Sequence, residues 1–205
     1  MQSNIISSPE LASQGQQKIE WVQRNMPILN QLEDQFAQER PFAGKRVTVC
    51  IHLEAKTAYL ALVLRAGGAT VSVTGSNPES TKDDVVAALA AEGLHVYARH
   101  GASPEEMRRY MSIALELQPH VVIDDGGDLV ELLHESQRQH GEQMLGACEE
   151  TTSGVLRARA RARAGQLDFP VMLVNDARCK YLFDNVHGTG QSAWDAVMRS
   201  TNLVL

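Results

Sequence analysis

Ionisable and hydrogen-bonding residues recur at one kind of place in this chain, the positions that follow a short β-branched or apolar run. His52 follows VTVCI, Asn77 and Thr81 follow VSVTGS, and Asp124 and Asp125 follow VVI. Glu149 to Thr152 follow LGAC, and Asn175, Asp176 and Lys180 follow VMLV. These are residue types suited to proton transfer and hydroxyl recognition: an imidazole that titrates near neutrality, carboxylates that accept hydrogen bonds, an ammonium that donates them. Brought together they would form a small-molecule site. The bland alternative is that each caps a helix or builds a turn, for which Asp-Asp-Gly-Gly is well suited, and that the histidine is a satisfied core residue.

The elements that carry these residues decide between the two. After PFAGK, the run RVTVCIH reads as a strand, followed by a helical segment from about Ala55 to Ala66 that Gly67 and Gly68 close. The pattern recurs as ATVSVTG with DDVVAALAAEG, HVYARHG with PEEMRRYMSIALELQ, HVVIDDGG with DLVELLHESQRQ, and MLGACEETTSG with VLRARARARAG. FPVMLVND adds a strand and SAWDAVMRST a helix, and the final NLVL resembles the start of one more strand. Such alternation predicts an α/β, three-layer Rossmann-like domain with a mainly parallel sheet. In that architecture ligands bind at the carboxyl ends of the strands, near a topological switch point, so all the residues above fall on one edge. Residues 1–15, polar and rich in Ser and Gln, predict a frayed arm. Helices containing Ile19–Arg24 and Ile28–Glu39 follow it, and residues 16–205 form a single domain.

Composition narrows the partners. A net charge of −6 disfavours a nucleic-acid binder, which needs a clustered basic face. The run RARARARA (Arg157, Arg159, Arg161, Arg163) reads first as a solvated helix face and second as an anion or partner contact. No run approaches the roughly 20 apolar residues of a membrane span and the N-terminus has no leader pattern, so a cytoplasmic protein with no membrane partner is expected. Cys50, Cys148 and Cys179 are odd in number and form no CxxC pair, which suggests free thiols and no metal site.

The same strand ends carry a family resemblance, in CIHLEAKTA, SNPESTKDDVVAALA, VVIDDGGDLVELLH, EETTSGV and FPVMLVNDARCKYLFDN, with VMRSTN near the end. In order and spacing, from about Met26 to Leu205, these blocks resemble the substrate domain of adenosylhomocysteinase. The resemblance implies a mechanism in which bound NAD oxidises the ribose 3′-hydroxyl, the 4′ proton becomes acidic, homocysteine is eliminated, water adds, and the hydride returns. It implies that Lys180 and Asp184 handle the 3′-hydroxyl proton with Asn185 beside them. Glu150 and Thr151 would hold the ribose hydroxyls, with Thr152 also at a substrate-binding position, and His52 and Asp125 would form an acid/base pair near the 5′ position. Glu54, Lys56, Thr57 and Lys82 fall at substrate-binding positions.

The chain also departs from the family pattern. In the family the segment matched by VMRSTNLVL leads into a Gly-rich dinucleotide unit. Here the one similar string, Gly188-Thr189-Gly190-Gln191-Ser192-Ala193, follows FDNVH, which is not a strand, and reads as a loop and helix start. No cofactor is therefore expected in this chain, with NAD entering only from a partner chain, and without a hydride acceptor the 4′ C–H is not acidic. Glu54, Lys56 and Lys82 replace the Thr, Glu and Gln common in the family. An ammonium only donates, so the two lysines suit a 6-oxo purine or an anionic group, or else face solvent. Thr189 and Leu156 replace a usual Cys and His, which points to divergence, with truncation the alternative.

Three functions stay open: NAD-independent acid/base chemistry on a nucleoside-like thioether, a non-catalytic binding or regulatory module, and the substrate half of a split hydrolase. Apolar groups near the C-terminus, Val204 and Leu205 among them, predict a homodimer.

Overall fold

A computed structural model describes residues 3–204. The β-branched runs become six strands: β1 (Arg46–Ile51), β2 (Thr70–Gly75), β3 (His95–Tyr97), β4 (Val121–Asp124), β5 (Gly146–Glu149) and β6 (Val171–Leu173). All neighbouring pairs are parallel, in the order β3-β2-β1-β4-β5-β6. Central strands of this kind are buried on both faces, which is why Thr48, Ser72 and Thr74 are as fully buried as Val47, Val49 and Val73, with which they alternate. The domain is therefore the expected three-layer α/β fold, with a sheet that is wholly parallel.

Helices cover both faces. On one side lie α1 (Ala12–Gln23), α2 (Pro27–Glu39), α3 (Ala55–Ala66) and α4 (Asp83–Ala91), packed around Tyr59, Val63, Val85 and Leu89. On the other lie α5 (Pro104–Leu115) and α6 (Asp128–His134), packed through Met107, Tyr110, Leu129 and Leu133. Ser103 and Glu106 close a reciprocal capping box at the start of α5, satisfying backbone donors that a helix N-terminus leaves open. Before α6, Gly126 and Gly127 hold φ values of 103° and 79°, a left-handed pair that side-chain-bearing residues rarely adopt.

The arginine-rich run forms α7 (Thr152–Arg163), and its arginines are paired: Arg157 with Asp128 and Glu131, Arg159 with Asp176, Arg161 with Glu135. Of the three cysteines, Cys50 is buried, Cys148 half-buried and Cys179 exposed, and all are free thiols.

Three expectations need correction. Residues 1–2 of the expected frayed arm lie outside the described residues, but the rest of residues 1–15 is tied down. Ile5 bridges Tyr97 in parallel, its N–H bonds the Val96 carbonyl at 3.0 Å, and Asn4 bonds both Leu94 and Val96. The edge strand β3 offers unpaired backbone groups, and this segment satisfies them. Next, the glycine string Gly188–Ala193 holds the expected helix start, at Gly190, but no loop. A π-helical stretch, Lys180–Thr189, runs directly into α8 (Gly190–Thr201). Last, NLVL starts no strand: Asn202, at φ 56°, ends α8 in the left-handed conformation, Leu203 and Val204 are exposed, and Leu205 lies outside the described residues. Among the described residues no helix is long and apolar enough to cross a membrane.

Helix α1 lies so close to α4 that a Cβ on Gly15 would overlap the Asp84 carbonyl. In an open helix Gly→Ala gains about 1 kcal/mol. Here the overlap reverses the sign, and Gly15→Ala should lower stability by about 1–3 kcal/mol, read from the urea midpoint at unchanged m-value.

Candidate functional site

The strand order reverses beside β1. The chain leaves β1 toward β2 on one side, while β4 and β5 lie on the other, so the loops after β1 and β4 diverge and leave a cleft at their carboxyl ends. Two polar clusters face this edge.

The first cluster joins the loops after β1, β2 and β4. His52 Nε2 lies 3.5 Å from Asp125 Oδ2, and the other ring nitrogen is 2.6 Å from Ser80 Oγ. Ser76 Oγ donates to the same Asp125 oxygen at 2.8 Å. Asp125 is thus held between a hydroxyl and an imidazole, while the ring, about half exposed, presents itself to a ligand. Ser76 and Ser80 belong to the site without having been singled out from sequence, because in SNPEST they are indistinguishable from ordinary turn residues.

The second cluster is built on Lys180. Its ammonium donates to Asn175 Oδ1 at 2.8 Å and Asn185 Oδ1 at 2.7 Å. Glu150 Oε1 and Asp184 Oδ2 lie 3.6 and 3.5 Å away. The lysine side chain is only 13% exposed, so four oxygen-bearing groups fix it with little freedom. The pairing with Asp184 is an i,i+4 contact along the π-helical stretch, and Asn185 comes from the same turn. Burial pushes the Glu150 carboxyl up, and the negative charges of Asp125 and Asp184 push it further, while Lys180 opposes them. The two clusters therefore share one electrostatic field.

Beneath both lies a buried pair of carboxyls. Asp124 and Glu149 are register partners at the ends of β4 and β5, and both are essentially inaccessible. Asp124 accepts the N–H groups of Val130 and Asp125, and Glu149 Oε1 accepts those of Gly126 and Thr151. Among the described residues Glu149 Oε2 has no hydrogen-bond partner. Burial is the main cause that pushes Asp124 up to about 8, with Glu149 adding to it, and burial likewise raises Glu149.

The remaining expected residues sit on the same edge in differing ways. Glu54 caps α3 by accepting the Lys56 N–H at 3.1 Å, and the Lys56 ammonium lies 3.9 Å from that carboxylate. Lys82 is the exposed residue at the N-terminal cap of α4. Thr57 is buried, with its hydroxyl bonded to the His52 carbonyl. Thr151 and Thr152 begin α7, Thr152 exposed. Asn77, Thr81 and Asp176 do follow the bland reading. Asn77 Oδ1 accepts the Glu79 N–H, Thr81 Oγ1 donates to the Asn77 carbonyl, and Asp176 pairs with Arg159.

The residues described do not fit a dinucleotide. Thr189 and Gly190 have helical backbone, φ −65° and −59°, so the glycine string offers no turn with N–H groups directed at a pyrophosphate. At the first strand-to-helix turn stands His52-Leu53-Glu54, and the Glu54 carboxylate already caps the helix that would face phosphate.

The buried acid predicts a pH dependence. An unfolded chain releases the Asp124 proton near 3.8, while the folded chain keeps it to about 8. Its contribution to stability is thus complete below the lower value and lost as pH rises toward the upper one, at up to about 1.4 kcal/mol per pH unit. Urea midpoints should fall more steeply between pH 5 and 8 for the native chain than for Asp124→Asn.

Comparison with known proteins shows the family. The family profile for S-adenosyl-L-homocysteine hydrolase matches residues 4–145. The chain is 52% identical over 195 residues to an adenosylhomocysteinase of Pyrococcus abyssi, covering 95% of this chain and 46% of that protein. It is 48% identical to the S-inosyl-L-homocysteine hydrolase of Methanocaldococcus jannaschii, covering 95% and 47%, and 48% identical to that of Methanopyrus kandleri, covering 98% and 47%. The chain spans about half the length of these curated relatives. With the site blocks in order on a Rossmann-like sheet, and a profile match over most of its length, this chain belongs to the S-adenosyl-L-homocysteine hydrolase family.

Proposed function

We propose that this chain binds a nucleoside–homocysteine thioether at the carboxyl ends of β1, β4 and β5 and places protons on it. The observation that carries the reading is the Lys180 cluster: an almost buried ammonium held by Asn175 and Asn185, with Glu150 and Asp184 beside it. A ribose diol needs both donors and acceptors at fixed positions, and this cluster offers both. In this reading Lys180 and Asp184 handle the 3′-hydroxyl proton, and Glu150, Thr151, Thr152 and Asn185 hold the ribose. His52 and Asp125 then exchange a proton at the 5′ side, with Ser76 and Ser80 orienting them.

Glu54, Lys56, Thr57 and Lys82 lie around the N-terminal ends of α3 and α4, and their shared position supports a reading in which they meet the base. Relatives bear names for both the S-adenosyl and the S-inosyl compound. Two ammonium donors favour a 6-oxo base over an amino one, so inosine-type ligands should bind more tightly than adenosine-type ones, and Lys56→Glu with Lys82→Gln should reverse the order. Equal affinities in both proteins would remove the lysines from base recognition.

The proton-handling groups alone do not make the 4′ C–H acidic, so the described residues support binding and proton placement, and the redox step of a full hydrolase would need an NAD-binding domain outside the described residues, for which a partner chain is one source. One observation favours such a composite: Tyr181, Phe183, Val186 and Trp194 are all at least 57% exposed on the helical segment that leaves the sheet. A homodimer would cover the same surface, and sedimentation with and without a lone NAD-domain partner separates the two.

Calorimetric titration with S-adenosylhomocysteine and S-inosylhomocysteine, followed by analysis for released homocysteine, tests the reading directly. Binding with a dissociation constant in the micromolar range or below supports it, and Lys180→Ala should weaken that binding roughly tenfold by leaving Glu150 and Asp184 without their cation. No binding of either thioether would refute it.

A further inference from the structure

Helix α7 reaches Lys180 by two routes. The direct one is Glu150, which stands just before the helix cap at Thr151 and places Oε1 3.6 Å from the ammonium. The indirect one starts farther along the helix, at Arg159. Its guanidinium donates to Asp176 Oδ2 at 2.7 Å, the other Asp176 oxygen accepts from Asn175 Nδ2 at 3.3 Å, and Asn175 Oδ1 accepts from the Lys180 ammonium at 2.8 Å. Consecutive hydrogen bonds thus connect an exposed arginine to the almost buried lysine.

The middle of that chain decides an orientation. A carboxamide carries an acceptor at one end and a two-donor group of nearly the same size at the other, so packing alone does not select which end faces a neighbour. Asn175 is buried, and turned the other way it would set its NH2 against the Lys180 ammonium, donor against donor. A carboxylate only accepts, so Asp176 draws the NH2 to itself and leaves Oδ1 for the lysine. Arg159 in turn holds Asp176 in place. The other paired arginines of the helix lead elsewhere: Arg157 and Arg161 reach Asp128, Glu131 and Glu135, on α6 or at its end.

We propose that Asp176 and Arg159 are positioning residues for Lys180, fixing the Asn175 amide so that its oxygen, and not its nitrogen, holds the ammonium toward the ribose. The proposal rests on the nucleoside-thioether reading above and deepens it. Neither residue has to touch the ligand to act.

Two readouts test this, and the first needs no ligand. In nitrogen–proton correlation spectra, the Asn175 side-chain amide is assigned from its loss in Asn175→Asp. Asp176→Ala should shift that pair of signals and speed their exchange with water, while Arg161→Ala leaves them in place. The second readout is calorimetric titration with S-inosylhomocysteine and S-adenosylhomocysteine. Asp176→Ala should weaken binding roughly three- to tenfold, because a buried amide loses the partner that orients it. Arg159→Ala should weaken it about two- to threefold, as a half-exposed ion pair contributes modestly, and Arg159→Lys should recover most of that loss. Arg161→Ala breaks an ion pair on the same helix and should leave affinity unchanged, so a merely structural role for these arginines predicts no difference between Arg159 and Arg161. Asp176 and Arg159 are exposed, and their substitution leaves the packed core untouched.

An unmoved Asn175 amide in Asp176→Ala overturns the proposal whichever ligands bind. So does native thioether affinity in Asp176→Ala, or an equal loss in Arg159→Ala and Arg161→Ala, and in those cases the nucleoside-thioether reading survives. If the native protein binds neither thioether, that reading falls and takes the proposal with it.

Discussion

The carboxyl of Glu149 ties together the two loops that carry much of the site. One oxygen accepts the N–H of Gly126, in the loop that bears Asp125, and the N–H of Thr151, beside Glu150. The tie is possible because β4 and β5 are parallel and in register, so their last residues, Asp124 and Glu149, end at the same height. It also depends on Gly154, where a Cβ would occupy the space of the Glu149 carboxyl. Buried carboxyls are costly unless neutral or well bonded, and both members of this pair are pushed toward the protonated form by their surroundings. The two polar clusters are thus built over groups that resist ionisation, and Asp125 and Asp184 each stand beside a basic side chain, His52 and Lys180.

Strand order supplies the second constraint. A parallel sheet with its reversal beside β1 spreads the loops after β1 and β4, and the gap between them receives residues from five separate strand ends. Each cluster draws on distant segments: His52, Ser80 and Asp125 meet in one, and Glu150, Asn175 and Lys180 in the other. The helical segment after β6 closes the second cluster with its first turns and then departs from the domain, exposing a row of aromatic and aliphatic side chains. The same stretch of chain therefore completes a polar site at one end and offers an apolar surface at the other.

The layers, the strands and the edge on which the two polar clusters fall were legible from the alternation of β-branched runs with amphipathic segments. That alternation is local and is enforced by burial on both faces of the sheet. The ordered segment at Asn4 and Ile5 was not legible, because its pairing depends on an open edge of β3 more than 90 positions away in the chain. Nor was the winding of Gly188–Ala193, whose glycines suggest a loop in isolation but continue a helix begun at Lys180. Among the site residues, His52, Asp125, Glu150 and Lys180 stood out because ionisable groups after apolar runs are unusual. Ser76 and Ser80 did not, because a hydroxyl in a turn is commonplace until its partner is known.

The sequence alone determined which chemical groups are present and the edge to which each strand delivers them, since side-chain identity and strand polarity are local properties. It also carried the family blocks, which depend only on order and spacing. The tertiary structure decided which of those groups meet. It turned Thr57, Asn77 and Thr81 onto their own backbone and brought Ser76 to Asp125. It also engaged Asp128, Glu131 and Glu135 with the arginines of α7. The reason is that a hydrogen bond or ion pair forms within a few ångströms in space, and only the folded sheet and its crossovers determine which residues come that close.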